Sequence, residues 1–255
     1  MKQIPRKLWN DYIKKLERID KTAAAKVKAY LIKNGIPETF EESQALIDYS
    51  DGLVTKYGEA SAALACEMYD AISLAEGAAL PAAVPAAVPD IGMVAKAING
   101  TVKYANIELI SGSVERLVKM PSADTMLQNA IRDRAEYAWI PSGDTCMFCL
   151  TLASNGWQRA SRSILDGGHA EHIHAHCDCT FAIRHNSSTR VGGYDPEKYK
   201  RMYEDAPGSN SEEKINAMRR EAYAENKEEI NAKKRSAYEK RKELNSSRAE
   251  ELDVN

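Results

Sequence analysis

Aromatic side chains are scarce in this sequence, with three phenylalanines and three tryptophans among 255 residues. Glycine and proline are also few, at fourteen and nine, and they fall at segment ends instead of recurring every ten residues or so. That distribution excludes an all-β sandwich or barrel, whose short strands need regularly spaced turn residues. Charge of one sign is missing too. The formal net charge is −2, so no global basic field announces nucleic acid and no acidic field announces a solvating tail. Nowhere is an apolar run long enough to span a bilayer. The N-terminus, MKQIPRKLWNDYIKKLERID, is charged and amphipathic where a signal peptide would need an uninterrupted apolar stretch. The expectation is a protein made in a reducing cytoplasm, with no membrane partner.

What is present is helical periodicity on an alanine-rich background. Leu8, Tyr12, Leu16, Ile19, Ala23, Val27 and Tyr30 recur in steps of three and four, and the pattern stops at Asn34-Gly35. A second stripe runs Leu46, Tyr49, Leu53, Tyr57, Ala60, Leu64, Met68 and Ile72, with Cys66 near its buried side as a small core residue. The segment PAAVPAAVPD, residues 81–90, repeats proline every four residues and is a stiff connector. Helical patterning resumes from about Ile91 to Val118. It is expected to break at Met120-Pro121 and to restart with Ser122 as N-cap. The fold class is therefore mainly α, with residues 1–140 as a helical region.

Cysteine is rare, yet four of the five cysteines form two close pairs, Cys146/Cys149 and Cys177/Cys179. In a reducing compartment such clustering points to metal or catalysis ahead of disulfides. A C-x2-C turn lets two thiolates converge on one ion, and tetrahedral zinc then needs two further soft or borderline ligands from a distant segment. The stretch HAHCDC supplies them, since it reads H-x2-C-x-C from His174. The preferred ligand set is Cys146, Cys149, Cys177 and Cys179, with His174 as first substitute and zinc as the cofactor. A metal-free cluster of thiols or a redox pair is the plainer alternative. A catalytic metal is the other, because His172, His174 and His176 alternate, with Glu171 and Asp178 beside them as possible base and ligand. The deaminase order, H-x-E followed by P-C-x-x-C, is not met: His169-Ala170-Glu171 follows the C-x2-C and no proline precedes Cys146.

WIPSGDTCMFCLTLASNGWQRAS, then GGHAEHIHAHCDCTFAIRH and GGYDPEKYKRMYEDAPG, resembles the minor capsid proteins of tailed bacteriophages, the phage Mu protein F-like head morphogenesis family. That family's motif is C-x2-C, a variable loop, then H-x2-C-x-C, met here at Cys146, Cys149, His174, Cys177 and Cys179. Ala175 and Asp178 stand where its members often carry proline and arginine. The resemblance is specific over about residues 138–207 and architectural elsewhere. It implies a zinc-stapled α+β module with short strands over 141–207. It also implies a low-copy virion component, inside the head near the portal, that joins procapsid assembly in the host cytoplasm. Its implied partners are the portal protein, the major capsid or scaffold proteins, and packaged DNA. The chain is read as a structural head protein and not an enzyme. The alternative is a metal-dependent nuclease of zinc-knuckle type acting in DNA packaging, disfavoured because no carboxylate sits at a recognisable ligand spacing beside the histidines.

The last segment, 208–255, changes character. INAMRREAY at 215–223 and INAKKRSAY at 230–238 share a pattern about four helical turns apart, which returns each residue to nearly the same face. The apolar stripe is thin, so a charged helical tail is expected, solvated or docked on a partner. Lys233, Lys234, Arg235, Lys240, Arg241 and Lys242 stand against Glu239 over residues 230–242, a basic cluster suited to phosphate contacts. Flanking acids, among them Glu228, Glu229 and Glu243, offset it.

Overall fold

The computed structural model describes residues 3–140, 147–166 and 180–221, together with 223–224, 227–228, 231–232 and 235–236. The chain divides into two compact units, Met1–Lys200 and Arg201–Asn255. The described residues are mainly helical, as the composition implies, with a few short strands.

Three long helices and one shorter one build the first unit. Helix α1 (Arg6–Asn34) buries Trp9, Tyr12, Leu16, Ala23, Val27 and Leu31 along one face. It closes at Gly35, whose N–H donates to the Leu31 carbonyl at 2.9 Å. Helix α2 (Phe40–Glu76) opens on a capping box. The Thr39 hydroxyl accepts from the Glu42 N–H at 3.2 Å, and the Glu42 carboxylate accepts from the Thr39 N–H at 3.2 Å. It ends at Gly77, which takes the left-handed conformation (φ 61°) that a side chain would penalise. The buried face of α2 is turned from the stripe read in the sequence: Ile47, Val54, Ala65 and Tyr69 point inward, whereas Tyr49 is exposed. Cys66 is half-buried and not a core residue. Burial first, then the charge of Asp70, pushes its thiol pKa up.

Helices α3 (Ile91–Val102) and α4 (Ile107–Arg132) correct the expected break. The interruption falls at residues 103–106, where Ala105 is left-handed (φ 47°) and the Asn106 side chain accepts from the N–H groups of Glu108 and Leu109 to cap α4. Helix α4 then runs through Pro121 without stopping. A proline deletes one rung of the helical ladder and would normally cost about 3 kcal/mol. Next to the Leu117 carbonyl that Pro121 deprives, the Val118 carbonyl accepts a 2.7 Å hydrogen bond from the Ser61 hydroxyl of α2. Ser122 is no N-cap; its hydroxyl bonds back to the Lys119 carbonyl within α4. Helix α4 is buried along most of its length, with α1, α2 and α3 packed against it.

The proline-rich connector is an extended strap whose backbone polar groups are met by side chains of the helices beneath. Asn129 of α4 holds Val84 from both sides, accepting from its N–H at 2.9 Å and donating to its carbonyl at 2.8 Å. Thr125 accepts from the Ala86 N–H and Asp70 from the Ala83 N–H, both at 2.9 Å. Arg132 donates to the Ala82 and Pro81 carbonyls, each at 3.0 Å. Where the strap crosses α2, a Cβ on Gly58 would come to 3.0 Å from the Val88 side chain, tight enough that the strap would have to shift for it.

Beyond α4 the chain forms a three-stranded antiparallel sheet. Its centre is β2 (Glu136–Ile140), flanked by β3 (Gln158–Arg159) and β4 (Thr180–Arg184). Between β2 and β3 lies α5 (Met147–Ser154), and α6 (Arg162–Asp166) follows β3. The N-terminal β1 (Gln3–Ile4) pairs in parallel with β5 (Arg190–Val191), tying the start of the chain to the segment after β4. Residues on both sides of position 140 share one core: Trp9, Tyr69 and Met126 from the helices meet Trp139, Cys149 and Phe181 from the sheet region. A second cluster, with Val54, Ile98 and Leu117 among its members, fills the space between the helices alone.

Helix α7 (Pro196–Asp205) leads into the second unit. There Lys214 donates to the Tyr203 and Glu204 carbonyls at 2.9 and 3.0 Å. The Glu213 carboxylate accepts from the Ser209 N–H and hydroxyl. Those bonds, the backbone one foremost, hold its pKa below the usual carboxylate value. Helix covers residues 211–221 and the described pairs beyond.

Candidate functional site

The two cysteine pairs belong to the excursion that leaves the sheet after β2 and returns at β4. Ile140 and Thr180 are register partners in the β2–β4 ladder, so the chain departs and re-enters at adjacent strand ends. The ladder is braced by aromatics: Phe181 packs on Trp139 with ring centres 4.2 Å apart and meets Tyr137 edge to face at 5.6 Å. Cys149, on α5, is 1% exposed and belongs to the same core as Trp139, Ile140 and Phe181. Cys146, His174, Cys177 and Cys179 lie outside the described residues, as do Glu171, His172, His176 and Asp178. Among the described residues no three His, Cys, Asp or Glu side chains are grouped to hold a metal. Cys149 alone of the candidate ligands is in that set.

Behind the ladder the structure assembles a polar junction that the sequence did not announce. Glu76, at the end of α2, is buried, and its carboxylate accepts from the backbone N–H groups of His185 and Asn186 at 2.7 and 3.3 Å, just past β4. The His185 Nε2 lies 3.1 Å from the Ser73 hydroxyl, and the imidazole stands edge-on to Tyr69 at 5.3 Å. The Tyr69 hydroxyl donates to Asp133 at 2.8 Å, and Asp133 is gripped by Arg132 at 2.7 and 2.8 Å. Arg132 also holds the strap, so one chain of polar contacts runs from β4 to residues 81–82.

The charges of this junction are set by burial and by those contacts. Burial lowers the His185 pKa, outweighing the opposing pull of Glu76 and Asp133. Burial pushes Asp133 up, but hydrogen bonds from Arg132 and Tyr69, with the guanidinium charge, overcome it and leave the carboxyl below its ordinary value. Burial, aided by the Asp133 carboxylate, raises Tyr69 far above the ordinary phenol range.

Serine, histidine and carboxylate side by side invite comparison with a nucleophilic triad, and the geometry refuses it. Glu76 stands 4.0 Å from Nε2, the same nitrogen that faces Ser73, and so cannot orient the ring from the far side. The far nitrogen, Nδ1, is buried and has no hydrogen-bond partner among the described residues. Ser73 is itself buried and donates to the Tyr69 carbonyl. The set is a structural junction between helix, strap and sheet.

On the outer side of the sheet Arg184 pairs with Glu136 at 2.6 Å across the β2–β4 register, and its guanidinium lies 4.3 Å over the Trp157 ring. Trp157 in turn meets Tyr194 edge to face at 5.6 Å. No helix among the described residues is long and apolar enough to cross a membrane.

No curated protein matches the chain significantly. No solved structure does so either. A family model, described as VG15 protein, matches residues 3–206, which takes in the helices, the strap, the sheet and both cysteine pairs. The chain therefore belongs to the VG15 protein family, a family of viral (phage) gene products.

Proposed function

We propose that this phage protein is a minor capsid, head-morphogenesis protein of the Mu F-like kind, a non-catalytic virion component whose sheet region is stapled by one zinc ion. The observation that carries the reading is the placement of Cys149 in the core beneath the ladder that begins and ends the cysteine-bearing excursion. Were Cys149 to ionise in that apolar surrounding, the thiolate would need a cation beside it, which a zinc ion supplies. The soft donor set of Cys146, Cys149, Cys177 and Cys179, with His174 in reserve, suits zinc above harder ions. Bound there, zinc supplies a crosslink between the start and the end of the excursion. The miswired serine–histidine–glutamate set supports a role without turnover.

Partners follow from the same reading: the portal protein, the major capsid or scaffold proteins, and packaged DNA through the C-terminal tail, with the protein inside the capsid after assembly in the host cytoplasm. The test pairs elemental analysis of chelator-free protein with mass spectrometry of purified virions. About one zinc per chain, lost together with thermal stability in Cys146→Ser, and a few copies per virion are expected. Protein without stoichiometric metal would remove the staple, and virions lacking the chain would remove the capsid role.

A further inference from the structure

A cleft of about 430 Å³ opens beside the sheet, walled by Trp157 and Tyr194 and flanked by Arg184, Thr189 and Arg190. That volume falls in the small-ligand range of about 300–1,000 Å³ and has room for one nucleotide, not for a duplex. Its unspent polar groups are chiefly donors. Among the described residues the Trp157 indole N–H has no hydrogen-bond partner. Arg190 is exposed and makes no ion pair among the described residues. Arg184 commits Nε to Glu136 and Nη1 to the Thr189 carbonyl at 3.3 Å, which leaves Nη2 available. Thr189 is 1% exposed, yet its hydroxyl is without a partner among the described residues. Leaving a buried hydroxyl unpaired costs about 1–3 kcal/mol, which a ligand oxygen would relieve. Of the two acids lining the cleft, Asp195 uses Oδ1 to accept from the Glu197 and Lys198 N–H groups at the start of α7, and both carboxylates are exposed to solvent.

A site with aromatic walls and surplus donors fits an acceptor-rich, planar ligand. Two such classes exist: a nucleotide, and a proline-rich peptide presenting bare carbonyls. The paired arginines favour the first, because guanidinium bonds to phosphate are charge-assisted and those to a neutral carbonyl gain less. We propose that this cleft binds a single unpaired nucleotide, its base against the Trp157–Tyr194 wall and its phosphate between Arg184 and Arg190. The lining residues all belong to the first unit.

Fluorescence titration of the full-length protein tests this, because Trp9 and Trp139 are buried and Trp157 lies at the cleft. Thymidine monophosphate should quench saturably and bind about tenfold tighter than thymidine, with inorganic phosphate competing. Arg190→Ala, a change at an exposed side chain, should weaken the nucleotide about tenfold with an unchanged circular dichroism spectrum. Trp157→Phe should remove the signal. Equal binding of nucleoside and nucleotide, an unaffected Arg190→Ala variant, quenching that survives Trp157→Phe, or saturation by a proline-rich peptide alone would each overturn the proposal.

Discussion

Replacing Asn129 by alanine tests how the strap is held. The Asn129 side chain is buried, and its amide meets both polar groups of Val84 while donating also to the Thr125 carbonyl of its own helix. Truncation deletes two strap bonds, each worth about 1 kcal/mol net, and leaves a half-buried N–H and carbonyl to find water. The expected loss is about 2–3 kcal/mol in urea unfolding, or a fall in melting temperature of roughly 5–10 °C for a domain of this size. Asn129→Asp should do no better, since a carboxylate can accept from the Val84 N–H but would face the Val84 carbonyl. Thr125→Val removes the partner of the Ala86 N–H and should cost about 1 kcal/mol. If the strap lifts as one piece, the double variant should cost about 1 kcal/mol less than the sum of the two singles. A loss below about 0.5 kcal/mol for Asn129→Ala would mean the prolines alone keep the strap extended. Strict additivity would mean the bonds act independently.

The junction makes stability depend on pH in a fixed direction. His185 has a depressed pKa in the folded protein, so the unfolded chain takes up its proton first as pH falls. The contribution is complete above about 6.5 and erodes below it, and the loss from Asp133 adds only under about 3.8. His185→Gln should therefore flatten the melting-temperature profile between about pH 7 and about pH 5 relative to the parent; parallel profiles would refute the assignment. Ser61→Ala should cost about 1 kcal/mol by deleting the buried hydroxyl bond to the Val118 carbonyl, and a change within error would show that this contact between α2 and α4 adds nothing to stability. Deleting residues 211–255 should leave zinc content intact and reduce incorporation into heads. Truncated protein packaged as well as the full chain would make the tail a solvated helix only.

Helix existence was legible in the sequence because apolar residues at three- and four-residue steps leave few other options. Helix ends and faces were less so. Pro121 read as a break because a proline in isolation is one, whereas the helix here runs on through it, packed along most of its length against the other helices. Tyr49 read as core because tyrosine is apolar enough to fit the stripe, while the true face rests on small residues, Ser50, Gly58 and Ser61, that let α4 and the strap come close. The strap was recognised as stiff, but its clamps, Asp70, Thr125, Asn129 and Arg132, carry no local signal, since each looks like an ordinary polar residue on a helix. The same holds for Glu76 and His185, which are brought together by the fold across more than a hundred residues. The cysteine spacing, by contrast, is a property of the sequence itself and needs no fold to be seen.

The pairing of Ile140 with Thr180 also bears on how such a chain can diverge. Since the fold already holds those two positions one strand apart, the entropy of closing the intervening loop is fixed largely at its base, and doubling its length would add only about 0.6 kcal/mol. Outside α5, β3, α6 and the core residues Cys149, Ala153 and Ala160, the segment between them can thus lengthen, shorten or change composition while the helices and ladder stay undisturbed. Lineages of this protein would be free to reshape whatever surface that segment presents to its neighbours, provided the strand ends and the residues that pin it remain.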